Sequence, residues 1–573
     1  MENKTDLKAY WHTTAHILAQ AVKRLFPEVK LGIGPAIENG FYYDFYRQSP
    51  FTPEDLQQVE KVMQQIILEN LPLQCKRVSK DKAREYLQEE PFKLELLEDI
   101  PEDTVTFYQQ GEFLDLCQGP HLERTGQVKY FKLLTVAASY WKGDENRESM
   151  QRIYGISFPE KKALEDYLHF LQEAKERDHR TLGAKLDFFS IHPEYGSGLI
   201  FWHPKAALVR KIIEDFWREV HLKNGYQLVY TPHIADLVLW ERSGHTSYYR
   251  ENMFPPMELE NGQELQLRPM NCPFHIIIYK NSLRSYRELP IRWAELGTVY
   301  RLEKQGVLHG LLRVRGFTQD DAHIFCTPEQ LEEEIAGLIK LVCFFLSSFG
   351  FRDYRIFLST RPDRYVGSLE NWERATAALQ TALKDLGLNY EIDPGAGVFY
   401  GPKIDIKITD TLKREWQCST IQVDFNIPER FQLSYVNPEG NQVQPIMIHR
   451  AILGSLERFF GILLEHYKGN LPLWLSPVQC RILTIADRHI DYAFSVRDRL
   501  KEKFRVEVDE RNEKINKKIR DAEEEKIPVM IIVGDKEVQE NSVSVRFHGK
   551  HPGGTFTLEQ LIKLLSEKIE FRE

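Results

Sequence analysis

The stretch Gly310-Leu-Leu-Arg-Val-Arg-Gly-Phe-Thr-Gln-Asp-Asp-Ala-His-Ile-Phe325 decides how the rest of this chain is read. It follows a strand-like segment that closes on Arg301-Leu302-Glu303. Strand, charged loop and second strand predict a hairpin rich in Arg, Gln and Asp. Guanidinium groups are planar forks that pair bidentately with phosphate oxygens, so such a hairpin can hold a phosphate chain. Gln319 and Asp321 are left to meet a polar small molecule.

The chain has 573 residues, too many for one hydrophobic core, and roughly three or four domains are expected. Its 42% hydrophobic and 12% aromatic content is that of a globular protein. No run approaches the ~18 apolar residues of a membrane span, so no membrane partner is expected. The start, MENKTDLKAYWH, lacks the apolar core of a secretory signal. Seven cysteines, none in a Cys-x-x-Cys pair, fit reduced thiols in a cytoplasm better than a disulfide framework. A net charge of −9 argues against nonspecific coating of nucleic acid but leaves room for a local basic surface.

Outward from the hairpin, residues 11–26 carry Trp11, Ala15, Leu18, Val22 and Leu25 at helical spacing, and a second helix is predicted over about 53–70. Residues 1–155 read as one α+β domain. Pro159 opens a charged segment whose single narrow stripe (Leu164, Tyr167, Leu168, Leu171, Ala174) predicts a helix bridging two domains, within 156–181. Over 182–472 the largest block begins with a long helix, PKAALVRKIIEDFWREVHLKNGY, with Leu208, Ile212, Phe216 and Val220 on one face. A strand, QLVYTP, ends at Pro232. Near the block's end a short strand, PIMIHR, is expected to run into a helix, AILGSLERFFGILLEHY. Residues 473–573 alternate strand and helix, predicting a small α/β domain with parallel strands. Glu523–Glu525 reads as a solvated helix face.

His12-Thr-Thr-Ala-His16 places two imidazoles on one helix face. An isolated pair of this kind is usually structural, and no Glu makes it a zincin motif. Asp115-Leu-Cys-Gln-Gly-Pro-His121 adds a second element, and on spacing alone HxxxH with CxxxH could be a four-ligand zinc site. Cys272, in LRPMNCPFH, is by itself an ordinary buried cysteine. No Walker GxxxxGK[ST] or GxGxxG is present, so neither a P-loop nor a Rossmann nucleotide site is supported.

The hairpin, down to RVRGFTQDDAHIF, resembles motif 2 of the class II aminoacyl-tRNA synthetases, in the form found in the threonyl-tRNA synthetase family. QLVYTP resembles the dimer-forming motif 1, and PIMIHR with its helix resembles motif 3, with Gly454 and Arg458 at the turn. The resemblance implies an α+β multidomain fold: an N-terminal α+β editing domain, a class II antiparallel-sheet catalytic core and a C-terminal α/β anticodon-binding domain. It implies a homodimer that activates L-threonine with ATP and Mg2+ and transfers it to tRNA(Thr). By the same resemblance Arg301, Arg313 and Arg458 contact phosphate, Glu303 lies near the adenine, and Cys272, His323 and His449 hold Zn2+. Asp321 accepts the substrate hydroxyl, and Met270, Gln319, Tyr400, Lys403, Gln417 and Gln422 belong to the substrate site, while His245 is implicated in aminoacyl transfer.

His12, His16, Lys93, Asp115, Cys117 and His121 would line an editing pocket that hydrolyses seryl-tRNA without a metal. Asn512, Lys526, Glu537 and Arg546 would read the anticodon. Members of the family commonly begin with a small ubiquitin-like domain, which is expected to be missing here because His12 follows the start so closely. Alternatives are an RNA-binding regulator or inactive paralogue, a stand-alone editing hydrolase, or a prolyl, seryl or glycyl relative; the Cys/His/His set with HxxxH and CxxxH favours threonine.

Overall fold

The computed structural model describes residues 4–550 and 553–572 and divides into two compact units, Met1–Glu173 and Ala174–Glu573.

In the first unit helix α1 (Lys4–Leu25) buries Ala15, Leu18 and Val22 at the expected spacing. They pack on strand β1 (Gly40–Tyr46), whose alternate aromatics Phe41, Tyr43 and Phe45 all point inward. Helix α2 (Pro53–Glu69) starts at a reciprocal cap: Asp55 N–H donates to the Thr52 hydroxyl, and Thr52 N–H donates to the Asp55 carboxylate. Strand β2 (Leu73–Ser79), helix α3 (Pro91–Asp99) and strands β3 (Thr104–Gln110), β4 (Phe113–Leu116), β5 (Tyr130–Tyr140) and β6 (Ser149–Phe158) follow. They make two antiparallel sheets, one ordered Lys30–Leu31, β1, β6, β5 and the other β2, β3, β4. Helix α4 (Lys161–Arg177) has no buried residue, in keeping with its narrow apolar stripe.

The second unit opens with helix α5 (His179–Lys185) and the long helix α6 (Pro204–Lys223). The face that α6 buries runs through Val209, Ile213, Trp217 and Val220, one residue beyond the expected stripe over most of its length. Ile212 and Phe216 sit at its margin, where Phe216 packs among Phe345, Phe349 and Trp474. After helix α7 (Cys272–Lys280), strands β7 (Ile291–Tyr300) and β8 (Gly316–Cys326) form the expected hairpin. Helix α8 (Leu331–Ser348), strand β9 (Tyr354–Ser359), helix α9 (Leu369–Asp385) and strands β10 (Lys403–Thr409), β11 (Glu415–Asp424) and β12 (Ile446–Ser455) complete the sheet, and helix α10 (Leu456–Tyr467) packs behind it. Strand order is Gln227–Leu228, β7, β8, β12, β11, β10, β9, Glu391–Asp393; the pairings from β7 to β9 are antiparallel and the two edge pieces are parallel.

Sequence AILGS was expected to be helical but is the second half of β12: Ala451 pairs with both β8 and β11, Ser455 pairs with Gln319, and the N–H groups between them go to Asp320. The helix starts only at Leu456, capped by the Ser455 hydroxyl, which accepts from Arg458 N–H. Opposite Asp320 the ladder bulges: Gln319 pairs with Ser455 and Asp321 with Ala451. Fully buried Asp320 fills the gap. Its carboxylate accepts N–H groups from Ile452 (3.0 Å), Leu453 (2.9 Å) and Gly454 (2.9 Å), and the Trp217 indole N–H at 3.3 Å. Gly454 takes φ +78° there, which a side chain would resist. Burial pushes the Asp320 carboxyl up to about 6, against the pull of Arg450 and these donors.

The tail has the expected strands and helices: β13 (Cys480–Thr484), α11 (Ile490–Leu500), β14 (Val506–Asp509), α12 (Ile515–Glu524) and β15 (Val529–Val533), with β13 parallel to both neighbours. Two further antiparallel strands, Val543–Phe547 and Gly554–Phe556, extend the sheet. The acidic cluster is less solvated than expected. Glu525 pairs with Arg481 and Lys205, and Glu523 with Arg546.

Asp320→Ala would leave the bulge N–H groups buried without an acceptor. At about 1–3 kcal/mol per group, the loss is roughly 3 kcal/mol or more. Urea unfolding should show a much lower midpoint for Asp320→Ala and an intermediate one for Asp320→Asn, which keeps one acceptor oxygen. An alanine variant as stable as the parent would show that the bulge holds itself.

Candidate active site and a second polar pocket

Strand register puts three side chains in one row across the centre of the large sheet: Gln422 opposite His449, and His449 opposite His323. Alternation along β8 adds Gln319 and Asp321 to the same face. Above this face lies a cavity of about 870 Å³. Cys272 enters from the first turn of α7, and one ligand atom each of Cys272, His323 and His449 lies within 4.8 Å of the other two.

Hydrogen bonds fix both imidazoles. His449 Nε2 donates to Asp424 (2.9 Å), whose other oxygen accepts Asn426 and Ile427 N–H, so His449 Nδ1 keeps its lone pair. His275 Nε2 donates to Glu295 (3.2 Å), its Nδ1 therefore accepts from His323 Nδ1 (2.9 Å), and His323 Nε2 stays free. Burial holds His323 well below the usual imidazole range and Cys272 well above the usual thiol range. Neutral imidazole lone pairs and a thiol that ionises only against a cation suit a divalent metal held by three protein ligands.

Of the other expected residues, Met270, Arg301, Glu303, Arg313, Gln319, Asp321, Tyr400, Gln417, Gln422 and Arg458 all line this cavity. Arg301 lies over the rings of Phe317 (5.0 Å) and Tyr249 (5.6 Å) and donates to Pro269 O. Arg313 pairs with Glu303 at 3.0 Å. Arg458 Nε is buried with no hydrogen-bond partner among the described residues. Asp321 accepts from Asn271 (3.1 Å), and burial raises its carboxyl above the usual range. Tyr400 donates to Gln422 at 2.6 Å.

Two expected residues stand outside the cavity lining. Lys403 is paired with Asp405 at 2.6 Å, and Gln417 donates to the same carboxylate at 2.5 Å. His245 is fully buried behind Met270, between the Ser243 hydroxyl (2.7 Å) and the Met270 sulfur (3.1 Å), and burial pushes it down to about 3. The supporting His275, Glu295 and Asp424 were not foreseen, nor were Arg414 and Trp416 in the cavity wall. PFH (273–275) and VDF (423–425) carry no recognisable spacing, and only the pairing of distant strands makes these residues neighbours.

The first unit has its own pocket of about 490 Å³, lined by His12, His16, Lys93, Asp115 and Cys117 among others. Lys93 pairs with Asp115 at 2.7 Å while Tyr43 donates to the second oxygen at 2.5 Å, and all three are buried. Cys117 Sγ lies 3.2 Å from His12 Nε2 and 3.2 Å from His121 Nε2. The Thr13 hydroxyl donates to Ala9 O and so accepts from His121 Nδ1 (3.3 Å), fixing that tautomer. Burial lowers all three histidines and pushes Cys117 up to about 12. His16 Nδ1 is buried without a partner among the described residues. The pocket therefore offers neutral acceptors beside one fixed cation–anion pair, which suits positioning a water against a polar ester.

In the tail, Asn512 is exposed in the loop after β14 and Arg546 projects from Val543–Phe547 beside Glu523. Both Glu537 oxygens are engaged, accepting from Gly534 N–H (2.9 Å) and the Ser544 hydroxyl (2.7 Å). Lys526 follows α12 with φ +60°, its ammonium disfavoured by burial and by nearby Lys185 and Lys468.

Three family models match the chain. The tRNA synthetase class II core domain (G, H, P, S and T) covers residues 256–467, the anticodon binding domain 479–568, and the second additional domain of threonyl and alanyl tRNA synthetases 105–154. A threonine–tRNA ligase of Caldanaerobacter subterraneus subsp. tengcongensis is 54% identical over 572 residues, spanning 99% of this chain and 88% of that protein. The chloroplastic/mitochondrial threonine–tRNA ligase 2 of Arabidopsis thaliana is 52% identical over 577 residues, 100% of this chain and 88% of that protein. Among solved structures, the RNA binding domain of threonyl-tRNA synthetase from Cryptosporidium parvum Iowa II aligns with TM-score 0.66 at 42% identity, over 68% of this chain and 98% of that one.

Removing one partner of a buried ion pair strands the other charge, at roughly 3–5 kcal/mol. Lys93→Met should accordingly lower the urea midpoint of the first unit sharply, and Lys93→Met combined with Asp115→Leu should recover part of the loss. A single variant that unfolds at the parental midpoint would mean that the pair is solvated.

Proposed function

This chain belongs to the threonyl-tRNA synthetase family, and we propose on that footing a role for each of its sites. The protein is an AMP-forming threonine–tRNA ligase: it binds ATP, L-threonine and tRNA(Thr) and joins the amino acid to the tRNA. The observation that carries the assignment of the site is the convergence of Cys272, His323 and His449 with Arg301, Arg313 and Arg458 around one cavity. Arg301, clamped between two rings, and Arg458, with an unused buried N–H, hold the phosphates of ATP, with Mg2+ accompanying the nucleotide. Attack of the threonine carboxylate on the α-phosphate builds negative charge, which these fixed guanidinium groups stabilise without reorganising. Arg313 and Glu303 bracket the far end of the nucleotide.

Cys272, His323 and His449 would hold Zn2+, which when bound offers an open position to the amino and hydroxyl groups of threonine. Asp321 accepts a hydrogen bond from the hydroxyl, and Tyr400, Gln422, Met270 and Gln319 close the pocket. Valine has the shape of threonine but no hydroxyl, so it offers no hydrogen bond to the Asp321 oxygen that Asn271 does not fill. His245 supports Met270 from behind and is assigned to the transfer step; Lys403 acts on the site through Asp405 and Gln417.

The proposed division is editing domain 1–155, linker helix 156–181, catalytic core 182–472 and anticodon-binding domain 473–573. Exposed Tyr230, Ile234 and Val238, just beyond Gln227–Leu228, support a homodimer through this segment. Seven free cysteines support a cytoplasmic setting. Asn512, Lys526, Glu537 and Arg546 are assigned to the anticodon, whose unstacked bases expose edges to such side chains; Glu537 would act largely by holding the turn at Gly534. The pocket in the first unit is assigned to seryl-tRNA hydrolysis. Serine lacks only a methyl of threonine, worth roughly 1–3 kcal/mol, which is too little to exclude it at the first site.

Elemental analysis of metal-replete protein should find about one zinc per chain, lost in Cys272→Ala together with threonine-dependent pyrophosphate exchange; valine should support little exchange in either protein. Two zinc ions per chain would mean that His12, His16, Cys117 and His121 also bind metal. For the second pocket, the double variant His12→Ala, His16→Ala should still charge threonine but fail to deacylate pre-formed seryl-tRNA. Equal deacylation rates in parent and variant would place editing elsewhere.

A further inference from the structure

A third cluster, Asp178, His179 and Glu465, lies apart from the metal-binding row. It is not a second metal site, since its oxygens are already engaged. Asp178 caps α5 and pairs with Arg180. Glu465 takes His179 Nδ1–H (2.6 Å) and His179 N–H (3.1 Å) on one oxygen and the Arg414 guanidinium on the other. With Nδ1 donating to Glu465, His179 Nε2 can only accept, and it accepts the backbone N–H of Leu311 at 3.0 Å. His179 and Leu311 are both fully buried.

Leu311 is the tip of the loop between β7 and β8. Around it Val307, His309 and Arg313 are exposed and face the cavity. The loop is held at this tip from three directions: the Leu311 side chain enters the main core, its N–H ends on His179, and His309 bridges to Arg313. Gly310, at φ +49°, passes so close that a Cβ there would lie 2.0 Å from His179 Nε2. On its other side the cluster continues through Arg414 to Asp410, which accepts from Trp416 (2.9 Å), and Trp416 is the ring beside Arg458.

We propose that His179 is a positioning residue for the nucleotide: as a neutral acceptor of the Leu311 N–H, locked in that tautomer by Glu465, it fixes the hairpin loop so that Arg313 and His309 are in place before ATP arrives. Pre-ordering a loop removes the entropy cost of ordering it on binding, and the benefit falls on the ligand that the loop touches. The threonine side of the cavity rests on β8, β11 and β12, which the loop does not order. This inference rests on reading the cavity as the ATP and threonine site.

The test compares His179→Ala, His179→Asn and His179→Gln in the full chain with its metal bound, using threonine-dependent ATP–pyrophosphate exchange and amide exchange over 305–314. Gln can bring an oxygen to the Nε2 position; Asn keeps a donor near Glu465 but lacks that acceptor. Ala and Asn should raise the KM for ATP about tenfold, leave the KM for threonine within about twofold, and speed amide exchange at Leu311 without affecting α10. Gln should restore most of the ATP affinity and the protection. A purely structural histidine would instead lower kcat or active fraction with both KM values unchanged, and that result overturns the proposal, as does an unprotected loop with normal KM for ATP. If Ala does not fold, the Asn and Gln pair carries the same comparison. Arg301→Ala, assayed in parallel, tests the cavity itself: near-parental exchange there would overturn the assignment of the site rather than the role of His179.

Discussion

A single buried carboxylate, Asp320, sets the geometry on which the catalytic sheet depends. Antiparallel ladders leave no room for extra residues without orphaning backbone N–H groups, and Ile452, Leu453 and Gly454 are such residues. Asp320 takes up all three N–H groups from the neighbouring strand. The consequence reaches the cavity in two directions. Upstream of the bulge, His449 stays in register with His323 and Gln422; downstream, Ser455 is turned to cap α10, which brings Arg458 to the cavity wall.

Around this frame, buried carboxylates and their partners hold one another in place. Asp424 fixes His449, Glu295 acts through His275 on His323, Glu465 fixes His179, and in the first unit Asp115 is held between Lys93 and Tyr43. Each removes a tautomeric or rotameric choice in a buried site, where an unpaired polar group is costly. The two pockets differ in what is left free. The cavity on the large sheet keeps guanidinium groups and two imidazole lone pairs. The first unit's pocket keeps neutral imidazoles next to a lysine held in an ion pair with Asp115.

Where pattern reading failed, packing had overruled a local preference. AILGS has helical composition, yet the Asp320 carboxylate and the flanking strands claimed its hydrogen bonds. The buried stripe of α6 slid by one residue because Trp217 could reach Asp320, leaving Phe216 to an aromatic cluster at the margin. In the tail, β15 was legible as an apolar run. The antiparallel strand Val543–Phe547 was not anticipated, although Val-Ser-Val-Arg-Phe alternates as a half-buried strand does.

The sequence by itself determined the order of elements in the hairpin, the amphipathic helices and the α/β tail. These follow from spacings of two and near four residues, which are local. It also placed His12 with His16 and Cys117 with His121, since four residues make one helical turn or one tight loop. The wording of the hairpin further tied the chain to a family, and with it to most of the cavity's residues. Tertiary structure alone decided which distant side chains share a row. Cys272, His323 and His449 meet only because three separate segments converge on one sheet face. The same holds for His179 and Leu311, which are 132 residues apart in the chain. Register between strands is set by the whole core, and no local pattern encodes it.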